Sequence, residues 1–242
     1  MRDILIVSAT RLSRDQFWEE APLAQFLSLE SVLADGHIHC WVSFCNCRSL
    51  GIIYNEALVT VSGRDKRPIL LFVHDDVRIE DAFLYEKLNA AIERYAVVGL
   101  AGASQVKLTP PISWFSPTDR RSMSGAVAHP LYNGTTGLVD RRYTGMSSYG
   151  TMPKNCVVVD GLFMAVDAKK IVDEGIQFDP NLGFHFYDID FCLEAHTRGL
   201  SVGTWPIWVY HQSVGASIVS QEWRDSQTKF LEKWPIDEVY HV

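Results

Sequence analysis

Five apolar residues in succession, Ile69-Leu70-Leu71-Phe72-Val73, give way without a break to His74-Asp75-Asp76-Val77. A run this short and this apolar predicts a strand covered on both faces, the form taken inside a sheet flanked by helices. Three ionisable groups at its carboxyl end then need partners, since burying them unpaired costs several kcal/mol. Mg²⁺ and Mn²⁺ suit such carboxylates and also bridge phosphate oxygens. A turn with one aspartate capping the next helix is the plainer alternative.

The same all-apolar form opens the chain at Ile4-Leu5-Ile6-Val7. Between the two runs, Trp18 to Leu33 carries apolar groups at helical intervals and predicts a single crossover helix, and His37 to Phe44 predicts a second strand. Tyr54-Asn55-Glu56-Ala57-Leu58 predicts a helix broken at Ser62-Gly63; a helix over Asp81 to Tyr95 and a strand over Ala96 to Leu100 follow. Strand and helix in alternation predict an α/β fold, three layers α/β/α about a mostly parallel central sheet. Ligands of such sheets bind beyond the carboxyl ends of the strands. Nearer the end, Tyr187 to Arg198 predicts a helix stopped by Gly199. Val219 to Trp234 predicts an amphipathic helix whose Trp223, Phe230 and Trp234 pack onto the sheet, with a lid or homodimer contact as a second reading.

A chain of 242 residues, 47% of them apolar, supports one core and therefore one domain over 1–242. The formal net charge of -7 offers no basic face for duplex nucleic acid. A diphosphate remains compatible, because a divalent cation inverts the local sign. No stretch approaches the ~20 apolar residues of a membrane span, and Met1 to Val7 reads as a core strand and not a signal peptide. Cys40, Cys45, Cys47, Cys156 and Cys192 lack paired zinc-site spacing and fit free thiols in a reducing cytoplasm. Residues 102–154, rich in Gly, Pro, Ser and Thr, predict a loop-rich insertion within the domain, a functional set of loops and hairpins.

Two further segments carry chemistry. In Phe184-His185-Phe186-Tyr187-Asp188-Ile189-Asp190-Phe191, two acids at a helix start are crowded by apolar groups. Asp188 there serves either as a helix cap or as a base tuned by its surroundings. In Trp208-Val209-Tyr210-His211-Gln212-Ser213-Val214-Gly215, His211 follows a short strand, where an imidazole can complete a metal shell or be a satisfied structural residue.

Taken in order, Tyr54-Asn55-Glu56-Ala57, the Ile69–Val77 segment, Val159-Asp160-Gly161-Leu162-Phe163-Met164-Ala165, the Phe184–Leu193 segment, Gly199 and His211–Gly215 resemble family-2-type bacterial glycosyltransferases with the GT-A fold. The likeness is closest to their streptococcal-type glycosyltransferase-like subgroup and spans residues 1 to about 220. It implies that Ser8 and Thr10 touch the nucleoside and that Asn55 faces the base or diphosphate. His74, where the family carries aspartate, would hydrogen-bond a ribose hydroxyl, and Asp75 would contact ribose or support the metal. Asp76 and His211 would hold Mn²⁺ or Mg²⁺, and Asp188 would be the general base. Tyr187 stands where the family often has glutamate, so Asp190 or His185 would have to compensate.

The resemblance also implies a nucleoside-diphosphate sugar donor, UDP foremost, and a carbohydrate or lipid-linked acceptor in polysaccharide or surface glycan synthesis. Peripheral membrane association would follow from a lipid-linked acceptor. Asp160-Gly161 would line the acceptor side. Trp114, Phe115, Tyr132, Tyr143 and Tyr149 would pack on sugar faces, and Arg120-Arg121 or Arg141-Arg142 would meet a diphosphate or solvent. One base and one metal suit direct displacement with inversion, since retention through a covalent intermediate needs a second, nucleophilic carboxylate. A nucleotidyltransferase would want a glycine-rich phosphate cradle after the first strand, which is absent here. A protein that binds carbohydrate or nucleotide sugar without turnover is the non-enzymatic alternative.

Overall fold

The computed structural model describes the whole chain except residues 116–118, 133–138 and 214–219, and it leaves out the side chains of 31, 33, 35, 132 and 139–143. The first apolar run is β1 (Ile4–Ala9). The single helix expected over 18–33 is instead three short ones, α1 (Arg14–Glu20), α2 (Pro22–Leu27) and α3 (Glu30–Asp35). Pro22 causes the first break: it forces Ala21 into an extended conformation (ψ 130°) and then opens α2 at its first position; the second falls at Leu29, also extended (ψ 133°).

β2 (Ile38–Ser43), α4 (Leu50–Ser62), β3 (Ile69–Val73), α5 (Leu84–Arg94) and β5 (Val97–Gly99) follow as the alternation predicts, with a short strand the sequence did not signal, β4 (Val77–Ile79), between β3 and α5. β6 (Ala101–Ala103) and β7 (Gln105–Lys107) lead to a hairpin of two long strands, β8 (Met123–Tyr132) and β9 (Val139–Gly150). The hairpin expected within 102–154 is thus two long paired strands. Its β9 is built on period 2: Gly145, Ser147 and Tyr149 are half-buried, and Thr144, Met146 and Ser148 are exposed. After β10 (Lys154–Cys156) and β11 (Val158–Val159) come β12 (Phe163–Asp167), α6 (Ala168–Asp173) and α7 (Tyr187–Thr197). β13 (Val202–Thr204), β14 (Val209–His211), α8 (Gln221–Lys233) and β15 (Val239–His241) complete the chain.

The central sheet has the order β10-β13-β5-β12-β3-β1-β2. It is mixed, not mostly parallel: β1 runs parallel to β2 and β3, and β13 to β5, but β12 is antiparallel to both its neighbours and β10 to β13. The reason is local. β12 has no crossover helix before it; the chain turns at Asp160-Gly161 beside the carboxyl end of β3 and runs back along that strand, pairing Phe163 with Val73. A second, six-stranded sheet, β11-β6-β8-β14-β4 with β9 on β8, curls against the ends of the first. The result is a mixed α/β architecture with a curled sheet.

Every residue of β3 and β12 is buried, which accounts for the unbroken apolar sequence of β3 and of β12 up to Val166; Asp167, at the end of β12, is paired with Arg2. At the far end, Trp223 and Phe230 of α8 pack on Phe186 at the start of α7, and Trp234 packs on Tyr240 of β15. No described helix is long and apolar enough to cross a membrane.

Candidate active site

The end of β3 is fixed from two sides. The His74 N–H donates to the Leu162 carbonyl (3.1 Å), and the Gln212 N–H donates to that of Asp76 (2.8 Å). β14 lies antiparallel to β4 with His211 opposite Val77, which sets its imidazole beside Asp76. One ligand atom from each of His74, Asp76 and His211 then falls within 4.8 Å of the others. The Asp76 Oδ1 is 3.3 Å from His211 Nε2, yet it is buried and has no aligned hydrogen bond.

Two donors on one octahedral ion at ~2.1 Å sit ~3.0 Å apart when adjacent, so ligand atoms this close together fit a shared divalent cation. Burial works to raise the Asp76 carboxyl, and His211 and His74 outweigh it and hold the group below the usual carboxylate range. Burial likewise pulls His211 down, and Asp76 overcomes it and leaves the imidazole above its ordinary value. His74 is lowered by its burial.

Asp188 reaches the same region through an unusual backbone. Phe186 has φ 67°, a left-handed conformation that costs a bulky residue on the order of 1 kcal/mol or more and persists because the side chain is buried under Trp223 and Phe230. The helix therefore starts abruptly at Tyr187, with both Tyr187 and Asp188 against the Asp160-Gly161 turn. The Gly161 N–H donates to Asp188 Oδ2 (2.8 Å) and the Ile189 N–H to Oδ1 (2.9 Å). Burial first, and the charge of Asp160 second, push the Asp188 carboxyl up to about 7 against those two bonds. The Tyr187 hydroxyl donates to the Gly161 carbonyl (3.0 Å) and lies 2.7 Å from His74 Nε2.

Two cavities meet here. The first, about 780 Å³, is lined by His74, Asp160, Asp188 and His211 together with Trp114, Phe115 and Tyr149 from the 102–154 segment. The second, about 790 Å³, runs past Thr10, Arg11, Asn46, Arg48 and Asp75. Asp76, Phe184 and Ser213 line both.

Of the residues singled out in the sequence, His74, Asp76, Asp188 and His211 come together in the first cavity, and Thr10 and Asp75, bonded to each other at 2.5 Å, meet Asp76 in the second. The others lie apart. Ser8 is fully buried and lines neither cavity. Asn55 spends its amide on the backbone of Phe178, donating to the carbonyl (2.8 Å) and accepting from the N–H (2.9 Å). Asp190 points the opposite way along α7, where its Oδ1 accepts from Trp234 Nε1 (2.8 Å) and pairs with Lys233 (2.6 Å).

Asp190 thus ties α8 to α7, and its replacement by alanine is expected to cost about 2 kcal/mol, less than a fully buried pair because Lys233 is partly exposed. Urea unfolding measures this; unchanged stability with lost catalysis would restore Asp190 to the site. Arg120 and Arg121 are exposed. The side chains of Tyr132, Tyr143, Arg141 and Arg142, and Val214 and Gly215 altogether, lie outside the described residues.

The sequence did not single out His129 and Ser147, which face each other across the hairpin in the first cavity. His129 Nε2 is 3.0 Å from Ser147 Oγ, while Nδ1 is 2.8 Å from the Pro130 carbonyl. Gly145 permits this, since a Cβ there would stand 2.9 Å from the His129 ring. The alternation of Gly145, Ser147 and Tyr149 was the available signal.

The chain matches the Glycosyltransferase like family over residues 34–234. No curated protein matches it significantly. Among solved structures it is similar to A197 from STIV, with TM-score 0.50, 14% identity, and 87% of this chain and 86% of that one covered. It is also similar to GalNAc-T7 crystallised with UDP, GalNAc and Mn²⁺, with TM-score 0.52, 11% identity, and 97% of this chain on 48% of that one. This chain therefore spans about half the length of the GalNAc-T7 structure, and at these identities the likeness is one of fold, of the GT-A kind. A match that takes in most of the sequence settles the family: the chain belongs to the glycosyltransferase-like family.

Proposed function

We propose that this protein transfers a sugar from a nucleoside-diphosphate sugar to an acceptor hydroxyl, with a divalent cation, Mn²⁺ or Mg²⁺, held by His74, Asp76 and His211. The observation that carries this is the position of Asp76 on the wall common to both cavities, at the point where a donor's diphosphate and an acceptor's hydroxyl would meet. The UDP, GalNAc and Mn²⁺ in the GalNAc-T7 structure support a nucleotide-sugar donor, and UDP as its nucleotide. When bound, the cation would neutralise charge developing on the leaving diphosphate. The second cavity takes the nucleoside along Thr10, Arg11 and Asp75, and Arg48 offers a cationic group there.

The first cavity takes the acceptor. Trp114, Phe115 and Tyr149 give it faces for a sugar ring, and the His129–Ser147 pair presents a fixed hydrogen-bonding edge to hydroxyls. Asp188 accepts the proton of the attacking hydroxyl. A carboxyl raised to about 7 is well matched to that task, because it holds a proton firmly once acquired and is still substantially ionised near neutrality. One base on the acceptor side favours inversion. A cytoplasmic enzyme of polysaccharide or surface glycan synthesis, of the streptococcal-type subgroup, acting on a carbohydrate or lipid-linked acceptor, is the setting this chemistry suits.

Incubating the protein with UDP-sugars and Mn²⁺ without acceptor tests the proposal. Slow release of free sugar and UDP that stops on chelation is expected; no release from any UDP-, GDP- or CDP-sugar, with or without acceptor mixtures, would point to a binding protein.

A further inference from the structure

A carbonyl oxygen only accepts hydrogen bonds, so the single hydroxyl proton of Tyr187, 3.0 Å from the Gly161 carbonyl, is committed to it. The contact between the same hydroxyl and His74 Nε2 at 2.7 Å can then be a hydrogen bond only if the imidazole is the donor. A neutral His74 consequently carries its one proton on Nε2 and presents a bare Nδ1. Gly161, on the other side of the same peptide turn, donates its N–H to Asp188 Oδ2 at 2.8 Å. One unbroken chain of bonds therefore runs from His74 through the Tyr187 hydroxyl and Gly161 to Asp188.

From this we infer that Tyr187 is a positioning residue: it fixes the tautomer of His74 so that Nδ1 is the metal-binding nitrogen, and it locks the same turn that orients Asp188. Outer-shell partners of this kind typically change metal affinity 10–100-fold when removed. The inference rests on the metal-dependent transfer proposed above. It also gives a physical role to a tyrosine at a place where glutamate was expected, since a carboxylate there could not donate to the Gly161 carbonyl. The turn is built for the tyrosine: a Cβ on Gly161 would stand 2.3 Å from its hydroxyl and 2.9 Å from the Asp188 Cβ.

The test is Mn²⁺ affinity, followed by electron paramagnetic resonance, in the intact protein, Tyr187→Phe and Gly161→Ala. Phenylalanine keeps the ring in its buried cluster with Tyr54 and Phe178 and removes only the hydroxyl. Both variants are expected to lose at least fivefold in Mn²⁺ affinity; a smaller loss in Tyr187→Phe overturns the inference while leaving metal-dependent transfer intact. Absence of Mn²⁺ binding by the unaltered protein would remove the proposed function itself and the positioning role with it. A second readout does not depend on metal or on either variant: in ¹⁵N-histidine NMR of the unaltered protein, the His74 ring should carry its proton on Nε2, and a proton on Nδ1 overturns the assignment.

Discussion

Replacing Asp188 by asparagine is expected to lower kcat for sugar transfer by about 10²–10⁴-fold, the usual contribution of a positioned general base, with donor affinity nearly unchanged. Asparagine fills the same space and keeps a carbonyl oxygen to accept from the Gly161 or Ile189 N–H, so it removes proton acceptance with little change in shape. The unaltered enzyme should lose kcat as pH falls through about 7, because only the ionised carboxylate accepts a proton; a bound cation would draw that limb lower. The limb should vanish in Asp188→Asn. Steady-state kinetics at saturating donor from pH 5 to 9 measures both, and equal loss of donor binding and turnover would make Asp188 structural.

Stability should move with pH in a way that follows from the same group. The folded-state carboxyl is raised to about 7 from an ordinary value near 4. Between those values the folded protein holds a proton that the unfolded chain releases, so this group's contribution to stability is full at low pH and is lost as pH rises toward 7. Asp188→Asn is expected to be more stable than the unaltered protein at pH 8 and to lose that advantage at pH 4, by urea unfolding in chelator. The excess stability at pH 8 is what the fold gives up to keep a base in an apolar wall.

The second large effect is at Asp76. Its carboxylate is the one anionic member of the His74–Asp76–His211 group and lines both cavities. Asp76→Ala is expected to reduce Mn²⁺ affinity by 100-fold or more, with transfer falling to background, because two histidines alone make a poor site for a cation that prefers oxygen. His211→Ala should lower Mn²⁺ affinity less, by about tenfold, since it removes a neutral ligand and leaves the carboxylate. If Asp76→Ala bound Mn²⁺ as tightly as the unaltered protein, the cation would have to sit elsewhere.

Much of this arrangement was legible because a few local signals were strong. The Ile69–Val73 run ending in His74-Asp75-Asp76 located both a central strand and the end of it where His74 and Asp76 meet His211, and the Trp223, Phe230 and Trp234 stripe located α8. What stayed hidden depended on partners far away in sequence. Nothing in the neighbourhood of Asn55 reveals that Phe178 occupies its amide, and nothing beside Asp190 reveals Lys233 and Trp234. Strand direction was hidden too: the apolar pattern of β12 is the same whether it runs with or against β3, and only the tight Asp160–Leu162 turn decides it. That turn is also what brings Gly161 to Asp188 and Tyr187, so the feature missed in the fold is the one that fixes the Asp188 carboxyl. In the hairpin, Gly, Ser and Thr hid the length and register of the two strands, and with them the His129–Ser147 pair.

Isothermal titration of UDP, GDP and CDP into the protein, with Mn²⁺ and with chelator, tests the central claim most directly. One nucleotide, UDP foremost, should bind with Mn²⁺, lose most of its affinity in chelator, and lose the Mn²⁺ dependence in Asp76→Ala. Binding that is equally strong without metal, or no binding of any of the three, would contradict a metal-dependent nucleotide-sugar site at the junction of the two cavities.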